Sequence, residues 1–312
     1  MEIQGIVTKF GPVSINRTQL AEKIGHEVEK RVTEKTGIHN RFIVSNEDDI
    51  LELASSAIVS EQLIEKLQSC NFIIVISQHT ERRIPPPSTF IFKDYDLRDT
   101  LVLDLNRGCS GFCEALVLAN SLFISGAFKK GVIIAAENYS KIIRPTNRNL
   151  APLFSDAATF TFLTGHKEDF FYSNFASFST MYKALAYNKI SNELEMNGGQ
   201  LLSFVKTVVI PRIEQLLNSV PKGEKITQVF VHQGSELVVD TIYRSLERYG
   251  LKPRFVCSDV GNLNSSTIPY AIDKVRRENG DIVDELCLLS GFGVGLSFCN
   301  ILFRLNFTNA NN

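Results

Sequence analysis

LVLDLNRGCSGFCEALVLANSLFISGAFKKGVIIAAE, residues 101–137, holds a complete strand-helix-strand unit. Leu101 to Leu105 is an apolar run of strand length, Phe112 to about Ala127 an apolar stretch of helix length, and Val132 to Ala136 a second strand. Gly108 and Gly111 bracket Cys109 and Ser110 at the bend, where a sharp strand-to-helix turn crowds the backbone. The geometry resembles a nucleophile elbow, so the thiol is expected to be displayed. At a helix's first turn the unpaired N–H groups and the positive dipole end favour a thiolate, which predicts a lowered pKa for Cys109 and a nucleophilic role. The alternative reading is a small hydrophobe buried in an ordinary bend.

Outward from this unit, composition narrows the function classes. The chain has 312 residues, 44% of them hydrophobic, enough to fill a large core or two smaller ones. Thirty-three basic and 34 acidic residues leave a net charge of −1, with no Lys/Arg run that would make a nucleic-acid or membrane-surface patch. No apolar run approaches the roughly 18 to 20 residues that span a bilayer, and the N-terminus lacks a signal-peptide layout. A cytoplasmic protein is expected, acting on small-molecule or acyl substrates with no nucleic acid and no membrane as partner. The six cysteines show no metal-ligand spacing, so no metal site is expected and the thiols are read as free.

Upstream lie a strand (Ile3 to Lys9), a helix (Thr18 to Lys35) stopped by Gly37, and a second helix (Ile50 to Ser69) opened by Asn46, Asp48 and Asp49. A strand from Phe72 to Ser77 runs into Gln78 to Phe90, whose three prolines predict an irregular excursion. Downstream, strands Ala157 to Leu163 and Phe170 to Ala176 flank a polar turn at Gly165 to Asp169, which sets the boundary between halves 1–165 and 166–312. Residues 178–197 read as a lid or surface excursion, and Gln200 to Asn218 as a helix kinked by Pro211. The second half then repeats the plan of the first: strand Gln228 to His232, helix Ser235 to Tyr249, strand Arg254 to Cys257, helix Ser265 to Glu278, and strands Glu285 to Leu289 and Gly293 to Phe303. Alternating strands and helices make this an α/β fold with both sheet faces covered.

Two strand-to-helix junctions in the second half carry polar groups, His232 and Asn262, positioned along their units as Cys109 is along its own. A thiol, an imidazole and an amide at the ends of core strands are the parts for acyl chemistry: a nucleophile, a proton partner and an oxyanion donor. Taken singly, His232 reads equally as a capping or core histidine and Asn262 as a turn residue.

Together, Lys35-Thr36-Gly37-Ile38, Gly108-Cys109-Ser110-Gly111-Phe112, Leu153-Phe154-Ser155-Asp156-Ala157, His232-Gln233, Gly261-Asn262 and Gly291-Phe292-Gly293 carry a resemblance in order and spacing. The chain is similar to β-ketoacyl-acyl-carrier-protein synthase III, of the thiolase superfamily, over nearly its whole length. The resemblance implies a thiolase-like five-layer αβαβα fold made of two similar halves, with the nucleophile in the N-terminal half and His and Asn in the C-terminal half. It implies a Cys109-His232-Asn262 triad and an oxyanion hole from the backbone N–H groups of Cys109 and Val294. It further implies substrate contacts at Phe154, Arg148, Lys35 and Ile84, the last reaching a partner's pocket across a homodimer interface. The implied activity loads an acyl group from a thioester of coenzyme A or acyl carrier protein onto Cys109. Decarboxylative condensation with a malonyl thioester follows, with no resident cofactor. Acyl transfer to an amine or hydroxyl, and a non-catalytic partner subunit, are the competing readings.

The departures from the family pattern are specific. Arg31 stands where the family has a tryptophan that stacks on coenzyme A, and Lys35 replaces its arginine partner. The family's HQAN becomes His232-Gln233-Gly234-Ser235, and Leu237 follows an acidic Glu236 where a basic carrier-docking residue is usual. Arg107, two residues before the nucleophile, reads either as a partner of Asp104, the favoured reading, or as a contact for an acidic substrate. These changes suggest a specialised fatty-acid or secondary-metabolite pathway.

Overall fold

The computed structural model describes residues 1–45, 49–78, 84–165 and 170–308. In the first half, β1 (Glu2–Phe10) and β2 (Val13–Asn16) lead to α1 (Arg17–Ile24) and α2 (His26–Thr36), followed by β3 (Asn40–Ile43). The single helix expected over Thr18 to Lys35 is two, because Gly25 sits between them at φ 93°, outside helical geometry. Asn16 starts α1 by a reciprocal capping box with Gln19. The helix expected over Ile50 to Ser69 also divides, into α3 (Ile50–Ser60) and α4 (Ile64–Gln68), with Gln62 at φ 53° in the gap. Asp49 caps α3, while Asn46 and Asp48, expected to open it, lie outside the described residues.

Next comes β4 (Phe72–Ile76), buried along its whole length as a central parallel strand must be. The proline segment is not irregular throughout. Residues 79–83 lie outside the described residues, and α5 (Pro87–Ile91) starts on Pro87, since a helix's first turn has no use for the missing N–H. Then follow β5 (Leu101–Leu105), α6 (Gly111–Ile124), β6 (Lys130–Glu137) and β7 (Ala157–Thr164).

The second half opens with β8 (Phe171–Ser177) and a hairpin of β9 (Leu185–Asn188) and β10 (Glu193–Met196). Apart from Gly165, the expected boundary turn lies outside the described residues. After the hairpin, α7 (Gly198–Phe204) runs through a π-helical turn, Val205–Val209, into α8 (Ile210–Leu217). Pro211 cannot donate to the carbonyl four residues back, and here a widened turn, rather than a simple kink, accommodates it. The remaining elements are β11 (Gln228–Val231), α9 (Glu236–Leu246), α10 (Thr267–Asn279), β12 (Ile282–Gly293) and β13 (Ser297–Phe307).

The strand order repeats. In the first half it is β1-β7-β6-β4-β5 and in the second β8-β13-β12-β11, two antiparallel pairings being followed by two parallel ones in the first and by one in the second, and a short parallel pairing at Glu2 and Asn306 joins β1 to β13. The expected strand Arg254 to Cys257, which would fill the fifth place in the second half, is not one. The Gln233 side chain intervenes there, donating to the Arg254 carbonyl and accepting from Val256 N–H at 2.8 Å. The final pair also differs from expectation, since Gly293 belongs to the hairpin end of β12 and the last strand starts only at Ser297.

α6 packs on β4 and β6 with one side and on β12 and β13 with the other. It therefore lies between the two sheets, inside the largest hydrophobic cluster. A second cluster covers the outer face of the first sheet through α3, and a third covers the outer face of the second through α8 and α9. Helix, sheet, helix, sheet, helix is the resulting α/β layering.

Candidate active site

β5 delivers the chain to a tight turn, Gly108–Ser110, directly before α6. Gly108 has φ +52°, and a Cβ there would collide with Gln78 Oε1. At Gly111 a Cβ would stand 2.8 Å from Ile76 Cγ2. Both glycines are thus required by conformation or space. Across the interface between halves, a Cβ on Gly293 would lie 2.8 Å from the Cys109 Cβ, and one on Gly291 3.0 Å from the Cys109 carbonyl. The end of β12 approaches the thiol because it has no side chains in the way. Val294, the expected second oxyanion donor, follows Gly293 directly and contributes Cγ2 to the packing around Gly108.

His232 leaves the end of β11, held by its N–H on the Ser290 carbonyl at 2.8 Å, with its ring edge-on to Phe292. Asn262 follows Gly261, whose φ of +74° and contact with Ser155 exclude a side chain. The Asn262 backbone is pinned from both sides: its N–H donates to the Leu153 carbonyl and its carbonyl accepts from Ser155 N–H, each at 2.9 Å. Its Oδ1 accepts from Asn264 N–H at 2.9 Å, so the amide nitrogen is the end left to act as a donor. Cys109, His232 and Asn262 line one cavity of about 760 Å³.

The rest of that cavity is mostly apolar. Phe154, Leu185, Met196, Leu202, Phe204 and Val205 form its walls, and Arg31 and Lys35 line it from α2. Residues 178–197 are therefore no mere surface excursion, since the β9-β10 hairpin turns Leu185 and Met196 inward and an Arg144–Glu193 ion pair ties β10 down. Of the expected substrate contacts, Phe154 and Lys35 face the cavity. Arg148 does not line it, its neighbour Asn149 taking that place, and Ile84 stands 95% exposed away from it. Arg107 corrects another expectation: it pairs with Glu114 and Ser177, while Asp104 accepts from the Ser88 backbone and hydroxyl. The salt bridge runs forward along α6 because Glu114 lies one helical turn past the bend.

Electrostatics follow from burial. Cys109 is 3% exposed, and desolvation pushes its thiol well above the ordinary range, with the Glu137 carboxylate adding to the effect. That opposes the lowering expected from the helix start, because the loss of hydration outweighs the backbone donors. His232 is pushed down to about 4 by the same desolvation and is neutral near pH 7. Glu137, which sequence reading passed over, is pushed up to about 8 by burial, although Gln78 N–H and the Ser265 hydroxyl donate to it. Only its place at the end of β6 hinted at this.

Glu137 makes a stability prediction. Its folded pKa is above its unfolded value of 4.5, so the unfolded chain ionises first and stability falls as pH rises from about 4.5 to 8. Glu137→Gln should remove a loss of order a few kcal/mol across that window. Urea unfolding midpoints of the two proteins should coincide at the acid end and separate toward pH 8; parallel curves would exclude this role for Glu137.

Residues 103–179 match the family model of 3-oxoacyl-[acyl-carrier-protein] synthase III, and residues 220–305 match the model of that enzyme's C-terminal region. The chain belongs to the β-ketoacyl-acyl-carrier-protein synthase III family. A relative of that name from Streptococcus agalactiae is 28% identical over 95% of this chain and 97% of its own length. One from Enterococcus faecalis is 25% identical over 87% and 88%. Among solved structures, the synthase III of Aquifex aeolicus superposes with a TM-score of 0.85 at 22% identity, covering 97% of this chain and 99% of its own. At that identity the likeness is one of fold, and it is the thiolase-like fold of these synthases. No described helix is long and apolar enough to cross a membrane.

Proposed function

We propose that this synthase III family member is a condensing acyltransferase in which Cys109 is the nucleophile and His232 and Asn262 serve the condensation. The observation that carries the reading is convergence: a thiol, an imidazole and a fixed amide donor, from both halves of the chain, meet on one largely apolar cavity. In the loading step the Cys109 sulfur attacks a thioester carbonyl, the acyl group passes to Cys109, and the thiol proton leaves with the departing thiol. Backbone N–H groups of Cys109 and Val294 hold the tetrahedral oxyanion. In the second step a malonyl thioester loses carbon dioxide, and the electron pair of the broken bond passes into its enolate. That pair then forms the new carbon-carbon bond with the acyl carbon and expels the Cys109 thiolate, which takes up one proton per turnover. In this scheme Asn262 and His232 donate to the enolate oxygen.

Wild-type protein loaded with a straight-chain acyl-coenzyme A and then given malonyl-coenzyme A or a malonyl carrier protein should release carbon dioxide in step with a β-ketoacyl product. Acyl transfer to an amine or hydroxyl acceptor with no release would replace this reading. Arg31 and Lys35 on the cavity wall, with Leu237 after Glu236 nearby, support a donor recognised differently from the family's usual one and hence a specialised pathway. No resident cofactor enters the scheme.

A homodimer belongs to the same proposal. β5 ends the sheet as an apolar edge strand with Leu101 39% exposed, and Ile84 projects from the same half. Such an edge invites pairing, and two copies related by a two-fold axis would satisfy it. Light scattering at micromolar concentration should give twice the chain mass; a fully active monomer would remove Ile84 from any shared pocket.

A further inference from the structure

The ring of His232 is held from behind by a hydroxyl. Nδ1 lies 2.8 Å from Thr267 Oγ1, and the same oxygen lies 2.9 Å from the Asn264 carbonyl. Thr267 is fully buried at the start of α10, and His232 is 5% exposed. A neutral imidazole carries one proton, and its position decides what the cavity-facing nitrogen does: Nε2–H donates, whereas a bare Nε2 is a base. A carboxylate behind Nδ1 enforces the second state, as in serine-protease triads. A hydroxyl enforces neither by itself, because it can give or take the hydrogen bond. Its single hydrogen can go to Nδ1 or to the Asn264 carbonyl, and that carbonyl already accepts the Thr267 backbone N–H. The carbonyl therefore keeps a donor when the hydroxyl turns to the ring.

We propose that Thr267 is a positioning residue for condensation: its hydroxyl donates to Nδ1, so that His232 presents Nε2–H beside the Asn262 amide as a second donor. The inference rests on the condensation reading of the preceding subsection. One short turn, Asn264–Ser266, links the two supports, since Asn264 N–H holds Asn262 Oδ1 and the turn hands the chain to Thr267. The malonyl enolate oxygen then meets two N–H groups whose far ends are tied down before substrate arrives, the preorganisation that makes such donors effective. A side chain of valine shape keeps the packing and removes the hydrogen bond.

Thr267→Val should slow carbon dioxide release from malonyl-coenzyme A by the pre-acylated enzyme by about 10- to 100-fold, in kcat more than in KM, a fraction of the usual effect of a misprotonated catalytic imidazole. Thr267→Ser should recover release to within about threefold, because it restores the hydroxyl but not the methyl. Nitrogen-15 NMR of histidine-labelled wild-type enzyme, with the His232 signal assigned by its loss in His232→Ala, should show Nε2 protonated. A wild-type His232 protonated on Nδ1, or a folded Thr267→Val with unchanged release, overturns the proposal. If Thr267→Val fails to fold, the wild-type spectrum and Thr267→Ser still decide it. Wild-type protein that loads Cys109 but releases no carbon dioxide would instead remove the condensation reading itself, an outcome separate from wild-type release that is indifferent to Thr267.

Discussion

Cys109→Ala should take up no acyl group from any thioester donor, while wild-type protein gains one acyl mass. The expected loss of turnover is roughly 10⁴- to 10⁶-fold, the scale seen when a covalent nucleophile is removed from an otherwise intact site. The readout is clean because Cys70, Cys113, Cys257, Cys287 and Cys299 are all buried and none of them lines the cavity. Cys113 is the nearest in sequence, but its sulfur packs against Gly291. Intact-protein mass spectrometry after brief exposure to acyl-coenzyme A decides the matter. An adduct that survives Cys109→Ala would move the nucleophile elsewhere, and a wild type that forms none with any donor would make the chain a non-catalytic partner subunit. The raised thiol pKa adds a direction: simple alkylation of Cys109 should be slow near neutrality and quicken with pH, since only the thiolate reacts.

Asn262→Ala should separate the two half-reactions. Loading of Cys109 should persist, and carbon dioxide release should fall by about 10² to 10³, the effect of deleting one oxyanion donor. A loss confined to one step is what an interaction made only in that step's transition state produces. His232→Ala should act in the same direction, with some added cost to loading if the imidazole also steadies the buried thiol. Single-turnover acylation followed by release of labelled carbon dioxide measures both steps on one sample. If either substitution abolishes loading while the protein stays folded, that residue activates the nucleophile, and an acyltransferase or hydrolase would be the better description.

The unit around Cys109 was legible because its causes are local. Apolar runs of strand and helix length, with glycines at the bend, need no distant partner to be recognised, and β5, α6 and β6 form where residues 101–137 place them. The breaks at Gly25 and Gln62 were missed because apolar spacing carries across a single residue of positive φ without a change of phase large enough to notice. Arg254 to Cys257 has strand composition, but the pairing edge is occupied by the Gln233 side chain, a competitor 21 residues away from Arg254. Arg107 has acidic residues on both sides in sequence. Its choice of Glu114 over Asp104 follows from the rise of α6 and from Ser88 taking Asp104 first.

The α/β class, the repeated plan, and the three side chains that line one cavity, Cys109, His232 and Asn262, were all set by the chain's own residues, because periodicity and turn residues act over a few positions and the landmark motifs keep their order and spacing. Only the tertiary structure decided the environment of those side chains. Burial raises the Cys109 thiol against the pull of the helix start, Glu137 is held nearby as a carboxyl with a high pKa, and Thr267 stands behind His232. Desolvation and hydrogen-bond partnership depend on what every other element places around a group, and the Cys109 and His232 turns come from opposite halves of the chain.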